Sequence, residues 1–474
     1  MMAVPSSALR GGIATRQAAK TAPHDLATPI AEQLAAGREA RRHCPRSSHG
    51  PGRRTRLDRD AVALLIESND DRLADLVPVR HSRMLESPFA FFRGSAILQA
   101  HDLAQTPTSG IEVQACGDCH LMNFGGFASP ERSLIFDIND FDETHLGPWE
   151  WDVKRLTVSL VLAARWRGFS PAVALEAATA AAGNYRAVMR EYAGLATLET
   201  WYSQITFDDI AATVRDEKVA KRLVSFVKVA RSRTSEHTFH KLATGAGGTP
   251  HIVDQPPLLY HPPGVDVKAA AEPFLKRYAG TLRHEYQQLL ARFRVVDAAL
   301  KVVGVGSVGT RCYIVLLLGP HDDPLFLQVK EARHSVLERY VRRAAWKHQG
   351  ERVVAGQRLM QAVSDIFLGW ASGPGGRDFY VRQLRDMKIA ADLSKHDAKM
   401  LIGYGRLCGR ALARGHAKSG SAGRIAGYLG GSPTFDEAIA RYSVTYADQV
   451  ERDYGAFRAA ARTGRIATEP SERR

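Results

Sequence analysis

Residues 117–123 read Gly-Asp-Cys-His-Leu-Met-Asn, and residues 136–142 read Phe-Asp-Ile-Asn-Asp-Phe-Asp. In the first segment Asp118 stands five residues before Asn123, and in the second a short apolar run leads into three carboxylates. Enzymes that transfer phosphoryl groups space a proton-accepting aspartate and a magnesium-binding asparagine in this way, with a further carboxylate on the metal. The two segments therefore predict a phosphoryl-transfer site.

Each of these polar side chains has a predicted role. We expect Asp118 to orient and deprotonate an acceptor hydroxyl, because a carboxylate in that position can act as a general base. Asn123 and Asp140 are the predicted magnesium ligands, since amide and carboxylate oxygens suit that hard cation. Asp142 is a further metal ligand in this prediction and Asp137 an alternate, because carboxylates this close repel one another unless a cation binds between them.

A glycine-rich segment occurs much later, where residues 301–310 read Lys-Val-Val-Gly-Val-Gly-Ser-Val-Gly-Thr between two β-type runs. A dinucleotide-binding turn would open a helix, and a Walker loop would continue with Lys before Ser or Thr. The pattern is instead typical of the kinase loop that covers nucleotide phosphates between two strands. Lys330, on a third β-type run, is predicted to bind the phosphates and to complete a catalytic set with Asp118 and Asn123.

Such a lysine needs a carboxylate on the following helix to orient it, and Glu338 is the first candidate, with Glu351 second. The predicted ligands are ATP and Mg²⁺. The predicted nucleotide-binding residues are Gly304, Gly306, Ser307, Gly309, Lys330 and Glu338.

Length and composition are those of a globular protein with two packed lobes. The chain has 474 residues, of which 45% are hydrophobic and 24% charged, and its apolar runs are too short to cross a bilayer. Five cysteines without a hydrophobic leader predict a reducing, cytoplasmic location. The net charge of +14 favours anionic ligands. Nucleic acid is not an expected partner, because no aromatic residues alternate with the N-terminal arginines.

The pattern divides the chain into four parts. Residues 1–57 are predicted to be a basic disordered tail with one short helix near residues 31–42. A mainly helical lobe with the 117–123 segment is expected at 58–295, a β-rich nucleotide-binding lobe at 296–392, and helices returning to the first lobe at 393–474. The predicted strands are 111–114, 133–136, 301–305, 311–318, 325–329 and 379–384. The predicted helices are 60–79, 88–105, 149–167, 171–192, 270–294, 335–367 and 399–418.

These motifs carry a resemblance to known families. Residues 116–123, 139–142 and 151–156 resemble the phosphotransferase core of aminoglycoside and choline kinases. That resemblance implies a two-lobed α+β fold of the protein-kinase-like class, and it implies that Asp152 braces the 117–123 segment. From about Asp58 onward the chain is also similar to a bacterial family of uncharacterised proteins. The motifs of that family are G-D-x-H-x-x-N-F-G, F-D-x-N-D-F-D-E and K-V-V-G-V-G-S-V-G-T.

The order of the motifs differs from that of a standard kinase, in which the glycine loop and lysine come first. A circular permutation accounts for this, if the helix at 399–418 is the one that normally precedes the catalytic segment. Joining the old ends and opening the chain before that segment gives the observed order without moving any side chain. The sequence therefore predicts a circularly permuted kinase-like phosphotransferase that acts on a hydroxyl-bearing acceptor.

Several alternatives stay open at the level of sequence. Transfer of a nucleotidyl group would use the same cation site, and a catalytically silent nucleotide-binding module would keep the same motifs. A metal-dependent phosphoesterase matches Gly117-Asp118-x-His120, but the G-N-H-[DE] element of that class does not occur. Cys116 and Cys119 are interpreted as a buried pair and His120 as a hydrogen-bonding brace of the loop. The identity of the acceptor and the oligomeric state cannot be predicted from the sequence.

Overall fold

The structure is a computed structural model that describes residues 26–52, 59–232, 235–244, 250–341, 346–384 and 387–469. The first 25 residues of the predicted tail lie outside this part of the chain. The helices are α1 Ile30–His43, α2 Ala61–Glu67, α3 Val77–Met84, α4 Pro88–Gly94, α5 Ala96–Leu103, α6 Trp149–Trp166, α7 Pro171–Gly194, α8 Thr197–Tyr202, α9 Phe207–Thr213, α10 Glu217–Arg231, α11 Ser235–Leu242, α12 Val267–Ala279, α13 His284–Leu290, α14 Gln349–Met360, α15 Ala398–Ser419, α16 Ala422–Leu429 and α17 Thr434–Arg462. The strands are β1 Glu112–Ala115, β2 Phe124–Ala128, β3 Leu134–Ile138, β4 His145–Pro148, β5 Ala243–Thr244, β6 His251–Ile252, β7 Leu259–Tyr260, β8 Arg294–Lys301, β9 Cys312–Leu318, β10 Pro324–Glu331, β11 Gly369–Ser372, β12 Asp378–Gln383 and β13 Ile389–Ala390.

Helix α6 forms the centre of the helical part. Every residue from Trp149 to Ala164 is buried, because α7, α15 and α17 all pack against this helix. A helix enclosed on all sides must satisfy its polar side chains internally. Asp152 and Arg155, one turn apart on α6, both point to the 116–123 loop, where they accept and donate hydrogen bonds.

The β-rich part is a six-stranded antiparallel sheet in the order β11-β12-β10-β9-β8-β7. Strands β9 and β10 form a hairpin that closes with Leu318 opposite Pro324, and the turn between them contains the predicted Gly-Pro signal. Strand β10 is central, with β9 on one side and β12 on the other. Lys330 near its end is therefore buried, with 3% of its surface exposed, and it is not a solvated edge-strand lysine.

Smaller sheets connect the β-rich part to the helical part. Strand β13 follows β12 in the chain and pairs with β2, which pairs in turn with β3. Strand β1 pairs with β4 and leads into the 116–123 loop. The end of α15 lies against β1, because the Ser419 hydroxyl donates a hydrogen bond of 3.2 Å to the Gln114 carbonyl.

The expectation of a disordered tail does not hold for residues 26–52. Helix α1 packs closely on α16, and the Nε of Arg41 donates a hydrogen bond of 2.8 Å to the Tyr428 carbonyl. Close approach is possible because Gly37 and Gly427 stand where a β-carbon would meet the backbone of the other helix. The Ala, Gly and Arg composition that suggested disorder is here the composition of a tight helix contact. The short helix expected near residues 31–42 is confirmed.

Other differences lie in segments that make tertiary contacts. Of the helix expected at 335–367, the described residues form only α14, because the Ser335 hydroxyl and the Val336 amide bond to Glu143. The expected strand at 301–305 is instead the end of β8, followed by a 3₁₀ turn at Val305–Ser307. The expected helices at 60–79, 88–105 and 270–294 are each broken into shorter pieces, and β2 and β11 were not expected. The mixed α+β class and the helices α6, α7 and α15 are confirmed.

No helix in the described ranges has the length and apolar character needed to cross a membrane.

Candidate functional site

A cavity of about 840 Å³ brings the predicted site residues together. It is bounded by the six-stranded sheet, by the 116–123 loop and by helices α3 to α5. Asp118 and Asn123 precede the glycine loop, residues 304–309, by about 180 residues in the chain. The predicted residues that line the cavity are Asp118, Asn123, Asp140, Asp142, Gly304, Gly306, Ser307, Lys330 and Glu338. Gly309 does not line it, and neither do the alternates Asp137 and Glu351.

Asp142 contacts both the glycine loop and strand β10. Its carboxylate accepts hydrogen bonds from Lys330 Nζ at 2.7 Å, from the Tyr380 hydroxyl at 2.6 Å and from the Ser307 hydroxyl at 3.1 Å. Burial alone would raise the pKa of Asp142, but the Lys330 ammonium and these donors lower the pKa to about 2. Burial likewise opposes the charge on Lys330, yet Asp140 and Asp142 raise its pKa. Both groups are therefore charged at neutral pH.

The carboxylate that orients Lys330 is thus Asp142, and the prediction of Glu338 or Glu351 for this role is wrong. Glu338 lines the cavity but accepts a hydrogen bond of 2.7 Å from the His334 ring. Glu351 lies in the first turn of α14 and does not line the cavity. Residues 336–340 form turns and not the helix expected there, so Glu338 is not presented to Lys330 from a following helix.

Asp152 of α6 anchors the start of the 116–123 loop. Its two carboxylate oxygens accept hydrogen bonds from the backbone amides of Cys116, at 2.7 Å, and Gly117, at 3.0 Å. This is the bracing contact that the resemblance implied. Gly117 has a positive φ of 84°, and a β-carbon there would overlap the Glu143 carbonyl, so only glycine fits this turn.

Asn123 closes the same loop at its other end. Its Nδ2 donates a hydrogen bond of 2.7 Å to the Asp118 carbonyl, and its own carbonyl accepts one of 2.7 Å from the Asn139 amide. This orientation leaves the amide oxygen of Asn123 for a cation. The residues present therefore fit Mg²⁺, since Asn123 and Asp140 supply oxygen donors on one wall of the cavity.

Asp137, the alternate metal ligand, is not at this site. It is fully buried, and its carboxylate accepts hydrogen bonds from Arg414, at 2.8 and 3.0 Å, and from the Ala362 amide. A buried carboxylate that is already paired with a guanidinium has a structural role.

Asp118 is paired with a residue that sequence reasoning missed. Arg155 of α6 donates a hydrogen bond of 2.8 Å from its Nε to Asp118 and another of 2.7 Å to the Phe92 carbonyl. The guanidinium also lies over the Phe92 ring, 3.8 Å from its centre. No sequence signal marked Arg155, because it lies within an otherwise ordinary helix.

The chain was compared with known proteins. The family of uncharacterized proteins conserved in bacteria (DUF2252) matches residues 72–460. The chain belongs to this family. The matched span contains Asp118, Asn123 and Lys330 together with the glycine loop, and it confirms the family expected from the motifs. No curated protein and no solved structure matches the chain.

In this member of the DUF2252 family, Arg72, which the sequence did not point to, holds the glycine loop, and Arg333 holds the segment that carries Arg72. Arg72 donates hydrogen bonds to the carbonyls of Gly306, at 3.0 Å, and Val308, at 2.5 Å. Arg333 donates to the carbonyls of Ser68 and Asp70, next to Arg72. Gly309, with a positive φ of 86°, offers its carbonyl to the Leu73 amide. Its role in this family member is to turn the chain, not to line the cavity.

The cysteine pair and His120 lie beneath the 116–123 loop. Cys116 and Cys119 are buried, and burial raises the pKa of both thiols, that of Cys119 to about 11, which makes them poor nucleophiles. They form a group with Asp152 of metal-binding size, but both Asp152 oxygens are already used by backbone amides. Burial lowers the pKa of His120 to about 3, so its ring is neutral. Its Nδ1 has no partner among the described residues and its Nε2 lies 3.7 Å from Oδ2 of Asp118. The hydrogen bonds by which His120 braces the loop are those of its backbone, with the Asp118 carbonyl and the Asn123 amide, each of 2.8 Å.

Proposed function

We propose that this protein transfers the γ-phosphoryl group of ATP, in the presence of Mg²⁺, to a hydroxyl-bearing acceptor. The observation that carries the proposal is the meeting of three distant segments at Asp142. Lys330 of β10 lies 2.7 Å from this carboxylate and Ser307 of the glycine loop lies 3.1 Å from it. Asn123 and Asp118 line the same cavity. A triphosphate, its cation and an acceptor need these groups on one cleft.

We further propose that the fold is a circularly permuted relative of the protein-kinase-like class. Two features support this. The strands on either side of the glycine loop and the strand that carries Lys330 are neighbours in the sheet, in the order β8-β9-β10. The end of α15 abuts β1 through the bond between Ser419 and Gln114. A chain running from α15 directly into β1 and the 116–123 loop would therefore need only a short connection.

The residues present divide the chemistry among them. Asn123 and Asp140 would hold Mg²⁺, which supplies positive charge to the phosphate oxygens when bound. Lys330, fixed by Asp142, would hold the phosphates, and the glycine loop would cover them. Asp118 would accept the proton of the acceptor hydroxyl as its oxygen bonds to the γ-phosphorus. The bond from that phosphorus to the bridging oxygen breaks, and ADP leaves with the electron pair.

A catalytically silent nucleotide-binding module is the second candidate, and one contact favours it. Arg155 holds Asp118 in an ion pair with an Nη2 to Oδ1 distance of 2.7 Å. The Nε and Nη2 of Arg155 both contact Oδ1 of Asp118, so that oxygen is less available to take the proton of an acceptor hydroxyl. Tight nucleotide binding without turnover would be the property of such a module.

The test is phosphoryl release or transfer from γ-labelled ATP with pools of metabolites and proteins as acceptors. We compare wild type with Asp118→Asn and Lys330→Ala, and use Asp448→Asn and Lys395→Ala as matched controls on exposed side chains. Loss of the base is expected to lower the rate about 10²- to 10⁴-fold, and loss of Lys330 to abolish nucleotide binding. Equal rates in all five proteins would remove the enzyme proposal. Tight binding with no turnover in wild type would assign the silent module.

A further inference from the structure

Three buried polar atoms on residues of the cavity wall have no hydrogen-bond partner within the described ranges. They are the Nε of Arg80, the Nε of Arg93 and the Nδ1 of His120, and all three side chains line the cavity. Arg80 and His120 are only 2% and 4% exposed. Buried polar atoms are nearly always hydrogen-bonded, so these three side chains have donor capacity that no described residue uses.

Arg93 lies between the proton acceptor and the glycine loop. Its chain neighbour Phe92 accepts the hydrogen bond from Arg155, which holds Asp118. On the other side, the Arg93 carbonyl lies 3.4 Å from where a β-carbon on Gly306 would stand. The acceptor must reach Asp118 while the phosphates lie under the glycine loop, so Arg93 lies where these two molecules would meet.

Arg80 and Arg93 make no direct ion pair with a described carboxylate, although Asp118 and Glu86 are near enough to act on the charge of Arg93. Arg80 bonds to the Asn69 side chain and to the Gly94 carbonyl, both of which are uncharged. The Arg93 guanidinium lies 6.0 Å from the centre of the Phe89 ring. Other cavity arginines differ, because Arg339 is paired with Glu67 and Arg377 with Glu331. An oxyanion would supply Arg93 with a direct counter-charge and with hydrogen-bond acceptors.

We propose that Arg93, supported by Arg80 and His120, binds an oxyanion on the acceptor. The acceptor is then a hydroxyl compound that also carries a phosphate or carboxylate group. This inference rests on the proposed function, because it assumes that Asp118 receives the proton of that acceptor. The phosphates of ATP also carry oxyanions, but in the proposed function Lys330 and the glycine loop already bind them.

The test is a calorimetric titration of inorganic phosphate into the full chain saturated with Mg·AMP-PNP. This non-hydrolysable ATP fills the nucleotide's own phosphate positions, so added phosphate reports a separate anion site. We expect Arg93→Gln to bind phosphate at least tenfold more weakly than wild type, with the AMP-PNP affinity changed less than twofold. Arg93→Lys, which keeps the charge, should lose less. The control Arg42→Gln, on an exposed side chain of α1 paired with Glu39, should bind both ligands as wild type does.

Each other outcome also decides the question. If Arg93→Gln weakens AMP-PNP and leaves phosphate binding intact, Arg93 serves the nucleotide and the inference is wrong. Absence of phosphate binding to folded wild type overturns it as well. If AMP-PNP does not bind wild type, the proposed function fails. The titration without nucleotide then still decides the anion site, since a tenfold loss in Arg93→Gln supports an oxyanion site and equal binding rules it out.

Discussion

Asp142 is the residue whose surroundings tie the sheet to the helical part. The carboxylate is 29% exposed toward the cavity, and Lys330, its partner, is 4% exposed. Moving two charges into a protein interior costs several kcal/mol, and only their mutual attraction and further hydrogen bonds offset that cost. Tyr380 and Ser307 supply those further bonds. Removing one charge should therefore harm stability more than removing both.

Lys330→Met is expected to lower the free energy of unfolding by about 3 kcal/mol, because Asp142 is left without its counter-charge. The double variant Lys330→Met with Asp142→Asn should recover at least half of that loss. The measurement is urea unfolding followed by circular dichroism. Lys395→Met, whose side chain is 76% exposed, is the matched control and should change stability by less than about 0.5 kcal/mol. Additive losses in the double variant would show that the two side chains do not interact.

His49 gives the fold a dependence on acid. It is fully buried, and its Nε2 lies 2.7 Å from the Tyr428 hydroxyl. Burial, with Lys154 nearby, lowers the pKa of His49 to about 3. An unfolded chain binds this proton near pH 6.5, so the stabilising contribution is complete above that pH. It decreases as the pH falls from 6.5 toward 3, because the unfolded state alone takes up the proton.

We therefore expect wild type to lose about 2–3 kcal/mol more than His49→Gln between pH 7 and pH 4.5. Urea midpoints at the two pH values give this difference. The exposed His284 provides the control, since His284→Gln should follow wild type at both. A His49→Gln protein as acid-sensitive as wild type would mean that other groups carry the whole pH dependence.

At the scale of elements, helix α1 is fixed by close backbone contact with α16 and not by a broad apolar stripe. Gly37 has no room for a β-carbon, because the Arg424 carbonyl of α16 occupies that space. We expect Gly37→Leu to displace α1, so that trypsin cleaves at Arg38, Arg41 and Arg42 much earlier than in wild type. Ala36→Leu, on the exposed side of the same helix, is the matched control. Equal cleavage rates for the two variants would contradict the role of this contact.

Sequence patterns predicted the long elements, in which buried and exposed positions recur at regular intervals along the chain. Helices α6, α7 and α15 are long, and Ser170 and Asp397 cap two of them, so periodicity and capping were sufficient. The β9–β10 hairpin and Lys330 on it followed from alternation and a clear turn. The structure of residues 335–340 did not follow from the sequence pattern, since their backbone and the Ser335 hydroxyl bond to Glu143, a residue far away in the chain. Tertiary contacts decide such segments, and no local pattern records them.

Some residues of the site were likewise predictable from the sequence, and others were not. Asp118, Asn123, Asp140 and Lys330 were recognisable because their chemistry requires fixed spacings within a short segment. No sequence pattern identified Arg155, Arg93 or Arg72, because each contacts residues that are distant in the sequence and come together only in the fold. The partner of Lys330 was misassigned for that reason, with Asp142 lying 188 residues earlier in the chain.

At the scale of the whole molecule, contacts between distant segments surround the cavity. The glycine loop touches α3 and α4, and Arg382 of β12 donates a hydrogen bond of 3.0 Å to the Asn139 carbonyl beside Asp140. Strand β13 extends the β2–β3 hairpin. A ligand that binds at Asp142 therefore contacts both parts of the molecule at once, and it should rigidify both.

Hydrogen exchange followed by mass spectrometry tests this coupling. We expect saturating Mg·AMP-PNP to slow exchange at least fivefold in two separate sets of peptides, one covering residues 301–312 and the other 116–126, since local opening of either segment would have to break contacts with the same ligand. Peptides of α1, remote from the cavity, serve as the internal reference and should be unchanged. Lys330→Ala should show neither effect. Protection confined to residues 301–312 would mean that the nucleotide contacts the sheet alone, and Asp118 and Asn123 would then have no part in binding it.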